Sequence, residues 1–361
     1  MRSSVVRGKR FHVLIVGDDF TPANLFRRVL EPALLESGLQ PSFDLFDQTD
    51  AAYHAEEAEG VREFYGDPHC LRERVKDADV LIVTFAPVTE TVLASGSHLR
   101  VVGCGRGGPV NVDVNAATRH RIPVVYAPGR NAEAVAEFTL GLFITLARRI
   151  FDADSFVRSG LWRDGREDTF AKPTGPELGG RTLGIIGLGA VGIRLAELVK
   201  PLHMRVLAAD PFLTTAQVRE RGAEPAPLPE LLREADYVSV HARLAPGSPP
   251  LVGEAELSWM KPTAYLINTS RGGALDEAAL VRALQAGRLA GAALDVFSTE
   301  PLPLDHPFVH TEHTILTPHV AGISEDVPRR TAEIIATEVA AVVRGERPRF
   351  LRNPEVLSAG I

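Results

Sequence analysis

The chain has 361 residues, more than a single hydrophobic core usually serves, so two domains are expected. With 45% hydrophobic and 24% charged residues it has the balance of a globular protein rather than a disordered one. A net charge of -7 offers no basic face for nucleic acid, and apolar runs such as Leu140 to Ala147 are too short and interrupted to span a bilayer, which leaves small-molecule chemistry.

Residues 1–10 are basic, but the segment after them, Phe11 to Gly17, reads as a buried strand rather than a secretory signal core, so they are expected to form a frayed tail. A helix near Ala23–Ser37 follows, then strand patterns at Asp79–Thr84, Leu99–Gly103 and Pro123–Pro128. Continuous apolar runs of this kind belong to strands buried on both faces, hence to a parallel sheet covered by helices. Asn131 can cap the next helix, about Ala132–Arg149, in which Val135, Phe138, Leu142 and Leu146 lie along one stripe.

After a polar stretch, Ser159–Gly180, the rhythm restarts more regularly. Strands are predicted at Thr182–Gly187, Met204–Ala209, Asp236–His241, Thr263–Thr269, Ala290–Asp295 and His313–Thr317. Helices are predicted at Val191–Lys200, Leu228–Glu234, Glu254–Lys261 and Glu277–Ala286. The fold class is α/β, with a doubly wound parallel sheet in this second half.

The first strand of that half runs directly into Gly187-Leu-Gly189-Ala190-Val191-Gly192, a G-x-G-x-x-G between a strand and a helix. In that context Gly187 permits a tight turn, Gly189 lets backbone approach a pyrophosphate and Gly192 lets helix and strand pack closely. The helix start offers free N–H groups to phosphate. Asp210 ends the next strand, 18 positions beyond Gly192, where a carboxylate would accept hydrogen bonds from ribose hydroxyls and repel a 2′-phosphate. The expected cofactor is NAD rather than NADP.

Three further segments end predicted strands: Asn268-Thr-Ser-Arg271-Gly-Gly, Leu294-Asp295-Val-Phe-Ser-Thr-Glu300-Pro and Leu316-Thr-Pro-His319-Val-Ala-Gly. With the glycine fingerprint, they resemble the D-isomer-specific 2-hydroxyacid dehydrogenases, from about residue 75 to 345. Reduction of a 2-oxo acid needs a proton for the carbonyl oxygen, and histidine titrates near working pH, so His319 is the acid/base candidate. Glu300 would pair with its ring and fix the tautomer, and Arg271 would grip the substrate carboxylate or carbonyl through a forked contact. The resemblance implies that Asp295 faces the nicotinamide carboxamide. The full expected cofactor set is Gly187, Gly189, Ala190, Val191, Gly192, Asp210, His241, Thr269, Asp295 and Gly322.

Cys104-Gly-Arg106-Gly107-Gly108-Pro-Val-Asn111 is similar to the family's substrate loop, in which backbone N–H groups hold the carboxylate. Two features depart from the phosphoglycerate branch: Thr84 stands where an arginine is usual, and Arg106 stands where glycine is common. Arg106 either binds a distal anion or is solvated.

Because the fingerprint starts only at Gly187, the cofactor domain cannot be the N-terminal one. The resemblance implies two Rossmann-like or flavodoxin-like domains: a discontinuous substrate-binding domain, 11–125 plus 323–361, and an NAD-binding domain, 126–322. It also implies a homodimer through the 132–149 region, with Phe143 and Ile144 facing the partner. A chain ending near 361 is expected to lack the regulatory extension of the longer phosphoglycerate enzymes. Cys70 and Cys104 lack CxxC spacing, which points to no zinc or other metal site and suits a reducing cytoplasm. Two alternatives remain: a formate dehydrogenase, against which Glu300 speaks because that branch carries Gln there, and an NAD(H)-sensing corepressor-like protein with little turnover.

Overall fold

A computed structural model describes residues 10–49, 52–54, 57–67, 69–160, 162, 175–242, 244 and 247–357. Residues 1–9 of the expected tail lie outside the described residues, as does most of the polar stretch Ser159–Gly180. Arg10 departs from the tail assignment: it begins the first strand, paired with Gln40. Two compact units divide the chain, Met1–Arg130 with Ser324–Ile361, and Asn131–Ile323.

The first unit runs β1 (Arg10–Asp18), α1 (Ala23–Glu36), β2 (Gln40–Gln48), a small hairpin of β3 (Tyr53–His54) and β4 (Phe64–Tyr65), β5 (Val80–Val83), α2 (Glu90–Ser95), β6 (Val101–Cys104), α3 (Val114–Arg119) and β7 (Val124–Tyr126). The C-terminal helix Asp326–Val343 returns to this unit. The sheet order is β2-β1-β5-β6-β7, all parallel. Alternate strand residues feed opposite faces. Leu14, Val16, Leu81 and Val83 pack with α2 and α3, whereas Val13, Ile15, Val80 and Ile82 pack with Phe26, Leu30 and Leu34 of α1 and with Ile335 and Val339 of the C-terminal helix.

The second unit holds α4 (Ala132–Arg148), α5 (Ile150–Arg158), β8 (Thr182–Ile186), α6 (Ala190–Val199), β9 (Arg205–Ala209), α7 (Thr215–Glu220), β10 (Glu224–Pro225), α8 (Leu228–Glu234), β11 (Tyr237–Val240), α9 (Glu254–Trp259), β12 (Tyr265–Asn268), α10 (Glu277–Gln285), β13 (Gly291–Leu294) and β14 (Thr314–Leu316). Its seven strands are parallel in the order β10-β9-β8-β11-β12-β13-β14. The order reverses at β8, which is where a doubly wound sheet opens a crevice beyond its strands' carboxyl ends.

Two local expectations fail for packing reasons. Asn131 sits at the start of α4 but its side chain makes no cap; its amide lies instead against Gly322, where a Cβ would come within 2.5 Å of Nδ2. Phe143, expected to face a partner, is fully buried in its own unit, edge-on to Tyr237 with ring centroids 5.5 Å apart.

Candidate active site

Most residues singled out in the second unit stand at or just beyond the carboxyl end of a strand. Gly187 follows β8, Asp210 β9, His241 β11, Thr269 and Arg271 β12, Asp295 β13, and His319 lies three residues past the end of β14. Gly187 has φ 92°, and a Cβ there would lie 2.7 Å from the Ala242 nitrogen, so both conformation and contact require glycine. At Gly192 a Cβ would lie 2.6 Å from the Gly187 carbonyl, while nothing stands within 4 Å of one at Gly189. The loop thus packs inward at its first and third glycines and leaves the middle one open for a ligand.

Asp210 has a structural task that spacing alone did not disclose. Its Oδ2 accepts from Leu188 N at 2.9 Å and its Oδ1 from Phe212 N at 3.0 Å, so the carboxylate braces the glycine loop. Ala190 and Val191 open α6, whose first-turn N–H groups have no intrahelical acceptor and suit a pyrophosphate. These residues fit an NAD, with Gly189 to Gly192 at its phosphates and Asp210 at its ribose. His241 shares a 2.8 Å hydrogen bond with Ser239 Oγ, and burial pushes its imidazole down to about 4, so the ring is neutral at pH 7. The hydroxyl of Thr269 shares a 3.1 Å hydrogen bond with that of Thr139 of α4.

The Arg271, Glu300 and His319 segments form one packed cluster. His319 Nδ1 lies 2.8 Å from Glu300 Oε2, and Glu300 Oε1 accepts from Phe297 N at 2.9 Å, so the carboxylate is fixed from behind while it orients the ring. His319 adopts φ 55°, an uncommon conformation for a side-chain-bearing residue. Buried Asp295 holds the chain there: its backbone carbonyl accepts from His319 N at 2.8 Å, and its carboxylate accepts from Thr317 Oγ1, Val320 N and Ala321 N at 2.6 to 2.9 Å. Three of roughly four acceptor positions on that carboxylate are therefore filled by the His319 turn. Arg271 is exposed, with Nη1 donating to the Ser270 carbonyl at 2.8 Å, on a turn secured by Asn268, whose Nδ2 donates to the Arg271 carbonyl at 2.9 Å. Gly272 then lies so close to the Phe297 backbone that a Cβ would fall 1.9 Å from its carbonyl carbon. The Arg271 and Glu300 loops are pressed together without an intervening side chain.

In the first unit the loop after β6 is pinned from both sides. Buried Asn111 donates to the Thr84 and Ala86 carbonyls at 3.1 and 2.8 Å, and Ala127 N donates to the Arg106 carbonyl at 3.0 Å. Arg106 is not solvated. Its side chain is 12% exposed, ion-paired to Glu63 Oε2, hydrogen-bonded to the Glu63 carbonyl, and stacked 4.6 Å from the Phe85 ring centroid. Gly107 and Gly108, both half-buried, follow it. Cys104 is buried and its thiol is pushed up to about 11 by burial, which makes it a packing residue rather than a nucleophile.

Asn268, Thr317, Ser239 and Asn111 all serve the site yet were not singled out from sequence. Their motif neighbours were visible; their hydrogen-bond duties depend on partners brought up by the fold.

Residues 140–321 match the D-isomer specific 2-hydroxyacid dehydrogenase NAD binding domain. A glyoxylate reductase of Korarchaeum cryptofilum is 40% identical over 79% of this chain and 86% of its own length. A D-3-phosphoglycerate dehydrogenase of Methanocaldococcus jannaschii is 37% identical over 76% of this chain but only 52% of its own. The TT0316 protein of Thermus thermophilus superposes with a TM-score of 0.73 at 31% identity, covering 95% of this chain and all of that one. The chain belongs to the D-isomer specific 2-hydroxyacid dehydrogenase family and is an NAD-dependent enzyme of that kind.

Proposed function

We propose that this enzyme interconverts a 2-oxo acid and its D-2-hydroxy acid, with His319 as acid/base, Glu300 orienting it and Arg271 binding the substrate carboxylate or carbonyl. The observation that carries the reading is the 2.8 Å contact between His319 Nδ1 and Glu300 Oε2. It engages one ring nitrogen and leaves Nε2 to move a proton to or from the substrate oxygen. Bound NADH supplies the hydride. Glu300 offsets the imidazolium charge, and the donors of Arg271 beyond the one used by Ser270 suit a planar carboxylate. In the first unit, 11–125 with 323–361 by sequence, the candidate substrate-binding segment is Arg106, Gly107 and Gly108; 126–322 carries the cofactor role.

Relatives named glyoxylate reductase make glyoxylate the first substrate to try. Purified protein with NADH and a panel of 2-oxo acids should consume NADH and yield the D-product. NADH binding with no reduction anywhere on the panel would overturn the enzyme reading in favour of the corepressor-like one. We further propose a homodimer through α4 and α5, and a cytoplasmic setting, which suits the free thiols of Cys70 and Cys104.

A further inference from the structure

The loop that carries Glu300, residues 298–306, has little burial of its own to fix it. Ser298 to Pro301 and Pro303 to Asp305 are exposed, and only Leu302 between them is half-buried against the core. Exposed loops are ordinarily the least fixed parts of a fold, yet Glu300 Oε2 stands 2.8 Å from His319 Nδ1.

A carboxylate outside the reaction cluster reaches both ends of this loop. Glu277 lies in the first turn of α10; its Oε1 accepts from Ser298 N at 2.7 Å, and its Oε2 lies 3.5 Å from His306 Nε2. The His306 ring is seated in turn. Its Nδ1 accepts from Phe308 N at 3.3 Å, and its centroid lies 5.0 Å from the ring of fully buried Phe308. With Nδ1 an acceptor, Nε2 is the nitrogen that carries a proton toward Glu277. One side chain thus joins Ser298, before Glu300, to His306, after it.

Glu277 stands on a rigid base. α10 buries Ala279, Leu280, Val281, Ala283 and Leu284, and Asp276 caps it by accepting from Ala279 N at 2.9 Å. An acidic residue in a first helical turn can serve the helix dipole alone, but here both carboxylate oxygens turn away to the loop, and among the described residues no lysine or arginine pairs with them. The Arg271 turn, which leads into α10, presses on the same point: a Cβ on Gly272 would fall 2.3 Å from Ser298 N.

We propose that Glu277 is a positioning residue for the reaction, clamping both stems of the Glu300 loop and so fixing the carboxylate that orients His319. This rests on the acid/base reading of His319 and Glu300 above and adds to it a residue that acts only through Glu300.

The test compares wild type, Glu277→Ala, Glu277→Gln, Glu300→Ala and the Glu277→Ala/Glu300→Ala double variant in steady-state reduction of glyoxylate and pyruvate. Glu277→Ala should lower kcat by about 10- to 100-fold, as expected when a reacting group is misplaced by about 1 Å, with NADH affinity unchanged. Glu277→Gln should fall between, since its remaining oxygen can hold Ser298 N while the second stem is released. In the Glu300→Ala background, Glu277→Ala should lower kcat little further, because residues that act as a unit are not additive. The same fold-loss in both backgrounds, or a loss of NADH affinity matching the loss of kcat, would mark a merely structural residue and overturn the proposal. A second measurement needs no turnover: deuterium exchange in the segment 298–306 should quicken in Glu277→Ala, and exchange identical to wild type would overturn the clamp. Failure of the broader reading looks different. Wild type then reduces neither acid, or Glu300→Ala keeps full kcat, while exchange in the loop still reports on Glu277.

Discussion

His319 shows how much a single side chain depends on what surrounds it. Its ring is oriented by Glu300 and its left-handed backbone by Asp295, both at about 2.8 Å, so the proposed proton donor is pre-positioned before substrate arrives. Replacing it with alanine removes the acid/base while leaving the glycine loop intact. His319→Ala should lower kcat by about 100- to 10,000-fold with NADH affinity unchanged; a parallel loss of NADH affinity, read by fluorescence titration, would assign the residue a structural role instead. His241 makes the opposite case, a histidine whose use is to be uncharged. Its folded value of about 4 lies below the usual value of about 6.5, so the unfolded chain takes up the proton first. The stability it contributes is complete above pH 6.5 and is lost as pH falls from there through 4. His241→Phe should therefore flatten the acid arm of the unfolding free energy against pH by up to about 3 kcal/mol, and superimposable acid arms would contradict the buried neutral ring. Asp210 braces the glycine loop and is the proposed ribose partner, so Asp210→Ala should raise KM for NADH and narrow the preference over NADPH; unchanged selectivity would move discrimination elsewhere.

At the scale of elements, the strands that build the site were legible because their apolar runs are continuous and end at a polar or glycine residue. β2 escaped because Gln40–Gln48 is half-exposed, alternates, and contains Pro41, all features of an edge strand. Arg106 illustrates the limit from the other side: its partner Glu63 lies 43 positions earlier, on a loop with no local signature, so spacing left it either anion-binding or solvated. The glycine motifs were legible as glycines, but the contact that makes Gly272 obligatory is with Phe297, 25 positions away in the Glu300 loop. Gly272→Ala puts a methyl into that backbone and must separate the Arg271 and Glu300 loops. A loss of at least 2 to 3 kcal/mol in denaturant unfolding, on the order seen for overpacked cores, is expected together with a fall in kcat. A variant matching wild type in both measurements would show that these loops are not held in mutual contact.

For the whole molecule, the surface that the fold leaves apolar decides how copies associate. Phe143 was expected to face a partner and is consumed by its own core, which moves the free apolar surface along the chain to Ile144, Ile150, Phe151 and Val157, at 37, 45, 58 and 52% exposed. α5 contributes three of these and buries no residue within its own unit. A nine-residue helix is marginal in water without tertiary packing, so a helix of this length with its apolar side chains in solvent calls for a covering surface. In the homodimer proposed above a second copy of the chain would supply one of matching chemistry, and two-fold pairing would set α5 of each protomer into a shared interface. Phe151→Asp combined with Val157→Asp places two charges on that surface without touching either sheet. Light scattering after gel filtration should then read half the wild-type mass, with NADH affinity retained because the glycine loop is untouched. An unchanged dimeric mass would exclude α5 from the interface, and a monomeric wild type would exclude the dimer itself.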